Sequence, residues 1–295
     1  MADRTGRPVT GATRVAAVIG SPVRHSLSPV LLNAAFQAAG LDWVFAAFDV
    51  PEGAGGAAVA AMRTLGLGGL SVTMPHKAAA YEAVDERTPV ADDLGAVNCV
   101  FHRDGRLVGD NTDGPGFLDA LAIDEGFEPD GRRCVLVGAG GAGRAVARAL
   151  GTGGAAEVVV VNRSPDPARR AAELAGAVGR VGDHGDVARA ELVVNATSLG
   201  MAGGSGVGAL PLDPDLLHAG QVVVDLIYHP VETPLLAAAR ARGAVAVNGV
   251  GMLVHQAAHA FARWTGEAPP LREMATAIRH ELGRRAPSDG SSSHG

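Results

Sequence analysis

Lysine is almost absent from this chain. Lys77 is one of 25 basic residues and the other 24 are arginine, against 31 acidic residues and a net charge of −6. No basic stripe emerges from that balance, which excludes a phosphate-backbone partner. Aromatic residues amount to only 4%, so the stacking platforms of a single-strand nucleic-acid binder are missing too. The two cysteines, Cys99 and Cys134, lie 35 positions apart. They match no zinc motif and build no disulfide framework, and they read as buried thiols of a reducing compartment. Membrane-spanning apolar runs are also lacking. Two stretches of about 20 residues carry no charge, but Leu192–Leu212 contains a glycine cluster and Pro211, and Gly243–Ala262 contains Asn248, His255, Gln256 and His259. The opening MADRTGRPVTGATR places Asp3 and three arginines where a signal peptide needs an apolar core. The expectation is a cytoplasmic protein with no membrane segment.

Glycine is abundant, at 41 residues, and apolar side chains make up 47% of the chain. At about 100–200 residues per domain, such a chain buries a sizeable core and forms two domains or one large one. The lone lysine is informative against this background. Where arginine serves everywhere else, a retained ammonium points to chemistry that a guanidinium cannot do, because lysine releases its proton once its pKa falls.

The hydrophobic pattern alternates between strand and helix. Short apolar runs at Val15–Ile19, Trp43–Val50 and Leu70–Thr73 read as strands, with helical spacing over Pro29–Gly40, Ala57–Leu65 and Lys77–Val84 between and after them. Val97–His102 and Arg106–Val108 flank Asp104-Gly105, a hairpin signal. A second unit begins near Gly114 with a helix at about Pro115–Ile123. Strands follow at Arg133–Val137, Glu157–Val161, Leu192–Asn195, Val222–Leu226 and Ala244–Val247, with helices at Gly143–Leu150, Ala168–Ala175 and Thr233–Arg242. Helical periodicity returns over Val250–Trp264 and Leu271–Leu282. The pattern predicts an α/β protein with mostly parallel sheets. Residues 1–13 and 284–295 are polar and read as disordered.

Gly138-Ala139-Gly140-Gly141-Ala142-Gly143 is a G-x-G-x-x-G run that follows a five-residue apolar strand and opens a helix. In that setting the glycines allow a tight turn, a close approach of backbone to a pyrophosphate, and close helix–strand packing, while the helix N-terminus faces the anion. The next strand ends in Asn162-Arg163-Ser164. An NAD site places Asp or Glu there for the ribose 2′-hydroxyl. A guanidinium instead matches a 2′-phosphate, so Arg163, with Arg169 and Arg170 behind it, favours NADP, and NAD remains possible.

Polar segments then cluster where strands should end: Gly20–Pro29, Ser71–Lys77, Gly95–Asn98, Asp110–Gly114 and Gly249–Gln256. Hydroxyls, an amide, a carboxylate and one ammonium suit a small polyol acid. With the S-x-S-P loop, V-T-x-P-x-K, G-A-V-N, N-T-D-G, the glycine turn, N-R-S, Asn195-Ala196-Thr197-Ser198, Asp225-Leu226-Ile227-Tyr228 and M-L-V-x-Q, the sequence resembles the shikimate 5-dehydrogenase (shikimate/quinate dehydrogenase) family from about Val15 to Leu282.

The resemblance implies two α/β domains flanking a cleft. Residues 1–113, completed by helices at 250–284, would bind substrate; residues 114–249 would form a Rossmann-type NADP domain; residues 285–295 would be a disordered tail. It implies Lys77 and Asp113 as the catalytic pair. Ser26, Ser28, Thr73, Asn98, Tyr228 and Gln256 would join them in holding the substrate. Gly138, Ala139, Gly140, Gly141, Ala142, Asn162, Arg163, Ser164, Thr197, Leu226 and Gly249 would bind the cofactor. The implied reaction is reversible reduction of 3-dehydroshikimate to shikimate in aromatic amino-acid biosynthesis, by a monomer or homodimer. Quinate, an aminated shikimate and NAD stay open, as does a catalytically silent nucleotide-binding regulator. The sequence departs from the family at Ser71 and Leu32, and Pro165-Asp166-Pro167 separates Arg169 from N-R-S. His25 and His76 read as structural or rim residues, and no metal is expected.

Overall fold

Apolar runs closed by glycine or proline become the strands of two sheets, and the structure, a computed structural model, describes residues 8–201, 206 and 208–285 of the chain. The first unit runs β1 (Arg14–Gly20), α1 (Ser28–Ala38), β2 (Trp43–Asp49), α2 (Gly55–Leu65), β3 (Gly69–Val72), α3 (Lys77–Ala83), β4 (Glu86–Arg87), α4 (Pro89–Leu94), β5 (Cys99–Arg103) and β6 (Arg106–Asp110). Its sheet has the order β2-β1-β3-β5-β6-β4. Only β5 runs against its neighbours, so the sheet is mostly parallel. The reversal follows from the turn. Asp104 and Gly105 both take positive φ, 52° and 76°, the geometry of a two-residue hairpin loop.

α5 (Asp113–Asp119) leads through a π-helical turn at Ala120–Asp124 into the second unit. There β7 (Arg133–Val137), α6 (Gly141–Thr152), β8 (Glu157–Val161), α7 (Pro165–Leu174), β9 (Gly179–Val181), β10 (Leu192–Asn195), β11 (Val222–Asp225), α8 (Pro234–Ala241) and β12 (Val245–Asn248) follow. The order β12-β11-β10-β7-β8-β9 is parallel throughout. Numbered within this unit, it is the doubly wound order 3-2-1-4-5-6, whose direction reverses between β7 and β10. The crevice above their carboxyl ends is where such a sheet takes a ligand.

α9 (Val250–Thr265) and α10 (Leu271–Arg285) return to the first sheet. Phe261 and Trp264 share one apolar cluster with Leu31, Phe36 and Phe45. The Trp264 indole N–H donates to the Val100 carbonyl at 3.0 Å. Leu32, one of the departures from the family pattern, is fully buried in that cluster and simply packs.

Three expectations need correction. β4, α4 and β9 lie outside the elements that the hydrophobic pattern predicts. α5 begins at Asp113 and gives way to the π turn at Ala120, so no single helix covers 115–123. Arg284 and Arg285 are the last turn of α10 and not a disordered tail, because both pair with Glu281. Residues 8–13 are likewise ordered at their end, where the Thr13 hydroxyl donates to Asp42 at 2.9 Å. Residues 1–7 and 286–295, the rest of the two expected disordered ends, lie outside the described residues.

Candidate active site

Four polar loops meet at one end of the first sheet because β1, β3 and β6 end there and antiparallel β5 begins there. Lys77 opens α3, and its Nζ donates to Asp113 Oδ2 at 2.6 Å. Asp113 opens α5, and its other oxygen accepts from the Asn98 amide at 2.7 Å. Asn98 accepts the Thr112 amide N–H at 2.8 Å, and Asn111 accepts that of Asp113 at 3.2 Å. The Asn111 side chain also donates to the Ala96 carbonyl at 3.0 Å. The carboxylate is thus engaged by Lys77 and Asn98 and does not cap its own helix. Both oxygens of Asp113 are occupied, while two of the three ammonium donors of Lys77 remain available. Asn111 and Thr112 read in the sequence only as motif neighbours; the structure makes them the supports that hold Asp113 in place.

The pair opens on a cavity of about 260 Å³. Ser26, Ser28, Thr73, Asn98, Tyr228 and Gln256 all line it, together with Ser71, Met252 and Leu253. Ser26 Oγ accepts the Ser28 amide at 3.3 Å, and the Gln256 amide donates to the Leu253 carbonyl at 2.9 Å. The hydroxyls of Ser28, Ser71, Thr73 and Tyr228 make no hydrogen bond among the described residues, so they are available to a ligand. Burial pushes the Tyr228 hydroxyl above its ordinary range, and the Arg285 charge pulls the other way. His25 lies on the rim. His76 is buried against the Val50 carbonyl at 2.8 Å and plays a structural part. Burial raises both thiols, with Cys134 at about 12, so neither is a nucleophile. Among the described residues no cluster of His, Cys, Asp and Glu could hold a metal.

The second sheet brings its own loops to the same cavity: Ala142, Leu226 and Gly249 line it. The glycine turn behind Ala142 fits a dinucleotide. Gly138 has φ +105°, and a Cβ on Gly143 would collide with the Gly138 carbonyl oxygen, so both must lack side chains. Gly140 and Gly141 have nothing within 4 Å of their Cβ positions, which leaves an open approach to the first amides of α6. The Ala139 amide donates to Asn162 at 3.2 Å, tying the turn to the end of β8. Arg163 is exposed and makes no ion pair among the described residues, whereas Arg169 is held by Asp166. Thr197 donates to Asn195 Oδ1 at 2.7 Å. Asn195 in turn donates to Asp225 at 2.9 Å, and Thr233 closes the network on Asp225 at 2.7 Å. Burial raises the Asp225 carboxyl above its ordinary value. These buried groups lock the ends of β10 and β11, a supporting role that motif reading missed because Thr233 lies outside every motif.

Residues 18–100 match a model of the shikimate dehydrogenase substrate binding domain, 121–198 one of shikimate / quinate 5-dehydrogenase, and 249–279 one of the shikimate 5′-dehydrogenase C-terminal domain. The chain is similar to the shikimate dehydrogenase (NADP(+)) of Moorella thermoacetica, with 46% identity over 93% of this chain and 96% of the relative. It also resembles the crystal structure of shikimate 5-dehydrogenase from Thermus thermophilus in complex with NADP(H) and shikimate. There the TM-score is 0.84 and the identity 39%, over 90% of this chain and 99% of the other. Quinate dehydrogenase from Corynebacterium glutamicum in complex with NAD gives a TM-score of 0.83 at 32% identity, covering 91% and 99%. No helix among the described residues is long and apolar enough to cross a membrane.

Proposed function

The chain belongs to the shikimate 5-dehydrogenase family, and from that premise we propose that it interconverts 3-dehydroshikimate and shikimate with NADP(H). The observation that carries the reading is the Lys77–Asp113 pair at 2.6 Å. It opens on a cavity lined on one side by free hydroxyls and on the other by the dinucleotide turn's own Ala142. A silent regulator would have no use for an intact pair in that position.

The nicotinamide, when bound, supplies or accepts the hydride. Everything else falls to the chain. Ser26, Ser28, Thr73, Asn98, Tyr228 and Gln256 hold the acid and its hydroxyls. In reduction, Lys77 delivers a proton to the oxygen that becomes the alcohol; in oxidation it takes that proton back. Asp113 fixes the ammonium, and Asn98 fixes Asp113, so the donor is oriented before substrate arrives. Gly138, Ala139, Gly140, Gly141 and Ala142 would cradle the pyrophosphate, and Asn162, Arg163 and Ser164 the adenosine ribose and its 2′-phosphate. Thr197, Leu226 and Gly249 would flank the nicotinamide half. The working units are 1–113 with 250–284, and 114–249. The enzyme acts in the cytoplasm as a monomer or homodimer.

Cofactor choice tests the reading at Arg163. Arg163→Asp replaces a fork that pairs with phosphate by a carboxylate that repels it. The expected result is a KM for NADP+ raised roughly 10- to 100-fold, about 1.4–2.8 kcal/mol, with KM for NAD+ unchanged or lowered. Unchanged use of NADP+ by the variant would remove Arg163 from the site.

A further inference from the structure

The helix end that the sequence pattern assigns to a disordered tail holds the pocket loop. Glu281 on α10 is a buried carboxylate, 8% exposed, that takes no part in proton transfer. It accepts from Arg285 Nε at 2.9 Å and pairs with Arg284 at 3.2 Å. Arg285 Nη1 then donates to the main-chain carbonyl of His25 at 3.0 Å, across 260 positions of sequence. His25 directly precedes Ser26 in the loop between β1 and α1.

The Ser21 amide donates to the Met74 carbonyl at 2.9 Å, which ties the start of the loop to the β3–α3 loop; the bonds nearer Ser26 are local. The Ser26 amide donates to the Val23 carbonyl at 2.9 Å, and the Ser28 amide to Ser26 Oγ at 3.3 Å. Such bonds shape the turn but do not fix where it stands against the C-terminal helices. Val23 and Leu27 anchor it by their side chains in the apolar cluster that also contains Leu282. Arg285 adds a directional bond from the same helix, and Glu281 steadies the guanidinium so that little rotamer freedom is lost on binding. The Arg285 charge also lowers the pKa of the Tyr228 hydroxyl, against the effect of burial. Within the cavity lining, Lys77 is the one Lys or Arg among the described residues, and Asp113 already holds it.

We propose that Arg285, braced by Glu281, is a positioning residue for the substrate's carboxylate: it sets the Ser26–Ser28 loop at the distance at which its hydroxyls meet the acid. The inference rests on the function proposed above for this cavity. It concerns binding and not proton transfer, so its effects should separate from those of Lys77.

The test uses Arg285→Ala, Arg285→Lys and Glu281→Gln in the full chain. The first should raise KM for shikimate about tenfold, the size of one lost charge-assisted hydrogen bond. Its kcat and KM for NADP+ should stay within about twofold of the parent. Lysine, which can reach one acceptor but lacks the fork, should restore part of the loss. Glu281→Gln should move KM in the same direction, by less. In the ligand-free protein, amide exchange at Ser26 should quicken in Arg285→Ala, while exchange at Val135 in the other sheet stays unchanged. A shikimate KM unaltered in all three variants, or an unaltered Ser26 amide, overturns the proposal. A loss shared by kcat and both KM values also overturns it, because that marks a general structural role. Faster Ser26 exchange in a protein that does not oxidise shikimate upholds the clamp and overturns the substrate assignment, so the two failures are distinguishable.

Discussion

Lys77→Ala is expected to lower kcat by roughly 10²–10⁴-fold, the range for losing a positioned general acid, with a much smaller change in KM. The reason is geometric. Lys77 is the sole lysine, and it sits 2.6 Å from Asp113 in the cavity lining. Its side chain keeps 22% of its exposure, so the ammonium reaches the cavity while the carboxylate holds it. Lys77→Arg should rescue little. The guanidinium keeps the charge and could still pair with Asp113, but it does not release a proton under these conditions. The comparison is kcat of the alanine and arginine variants at saturating shikimate and NADP+, with folding checked by thermal melts. An arginine variant within about threefold of the parent would leave Lys77 as a charged clamp and move proton transfer elsewhere.

The second large effect is expected at the glycine turn, where two substitutions should behave differently. A Cβ at Gly143 runs into the Gly138 carbonyl oxygen, so Gly143→Ala must open the turn itself. Overpacking of that kind costs about 1–3 kcal/mol, and it should appear both as a lowered Tm of the ligand-free protein and as weaker NADPH binding. Gly140 has φ −75° and open space around its Cβ position. Gly140→Val should therefore leave the ligand-free Tm nearly unchanged and still weaken NADPH roughly 100-fold, because the side chain occupies the approach of the pyrophosphate. Fluorescence titration of NADPH, alongside melts, separates the two. Unchanged NADPH affinity in Gly140→Val would mean that no phosphate passes there.

The parts legible in the sequence are those written in local pattern. Strong strand runs such as Arg133–Val137 and Glu157–Val161 have the same bounds in the structure, since an apolar run between polar turns has one way to bury itself. The hairpin at Asp104-Gly105 is legible because two successive positive φ angles favour such residues. α4 carries signals that the hydrophobic pattern alone passes over: Thr88 caps it, accepting the Ala91 amide at 3.3 Å, Pro89 sits at its first position, and Gly95 ends it at φ +56°. β4 has two residues and no hydrophobic period to detect. The identities of Lys77 and Asp113 are readable as motifs, but their support by Asn111 and Thr112 depends on how β5 and β6 pair. The Arg285 contact is out of reach altogether, because a polar C-terminal stretch gives no sign that it folds back on a loop 260 positions earlier.

The most direct measurement is the set of four kcat/KM values for shikimate and quinate, each with NADP+ and NAD+. The exposed Arg163 beside the glycine turn and the similarity to shikimate dehydrogenases (NADP(+)) predict that shikimate with NADP+ leads every other pairing by at least about tenfold. Quinate with NAD+ equal to or faster than shikimate with NADP+ would contradict both the substrate and the cofactor assigned to this fold.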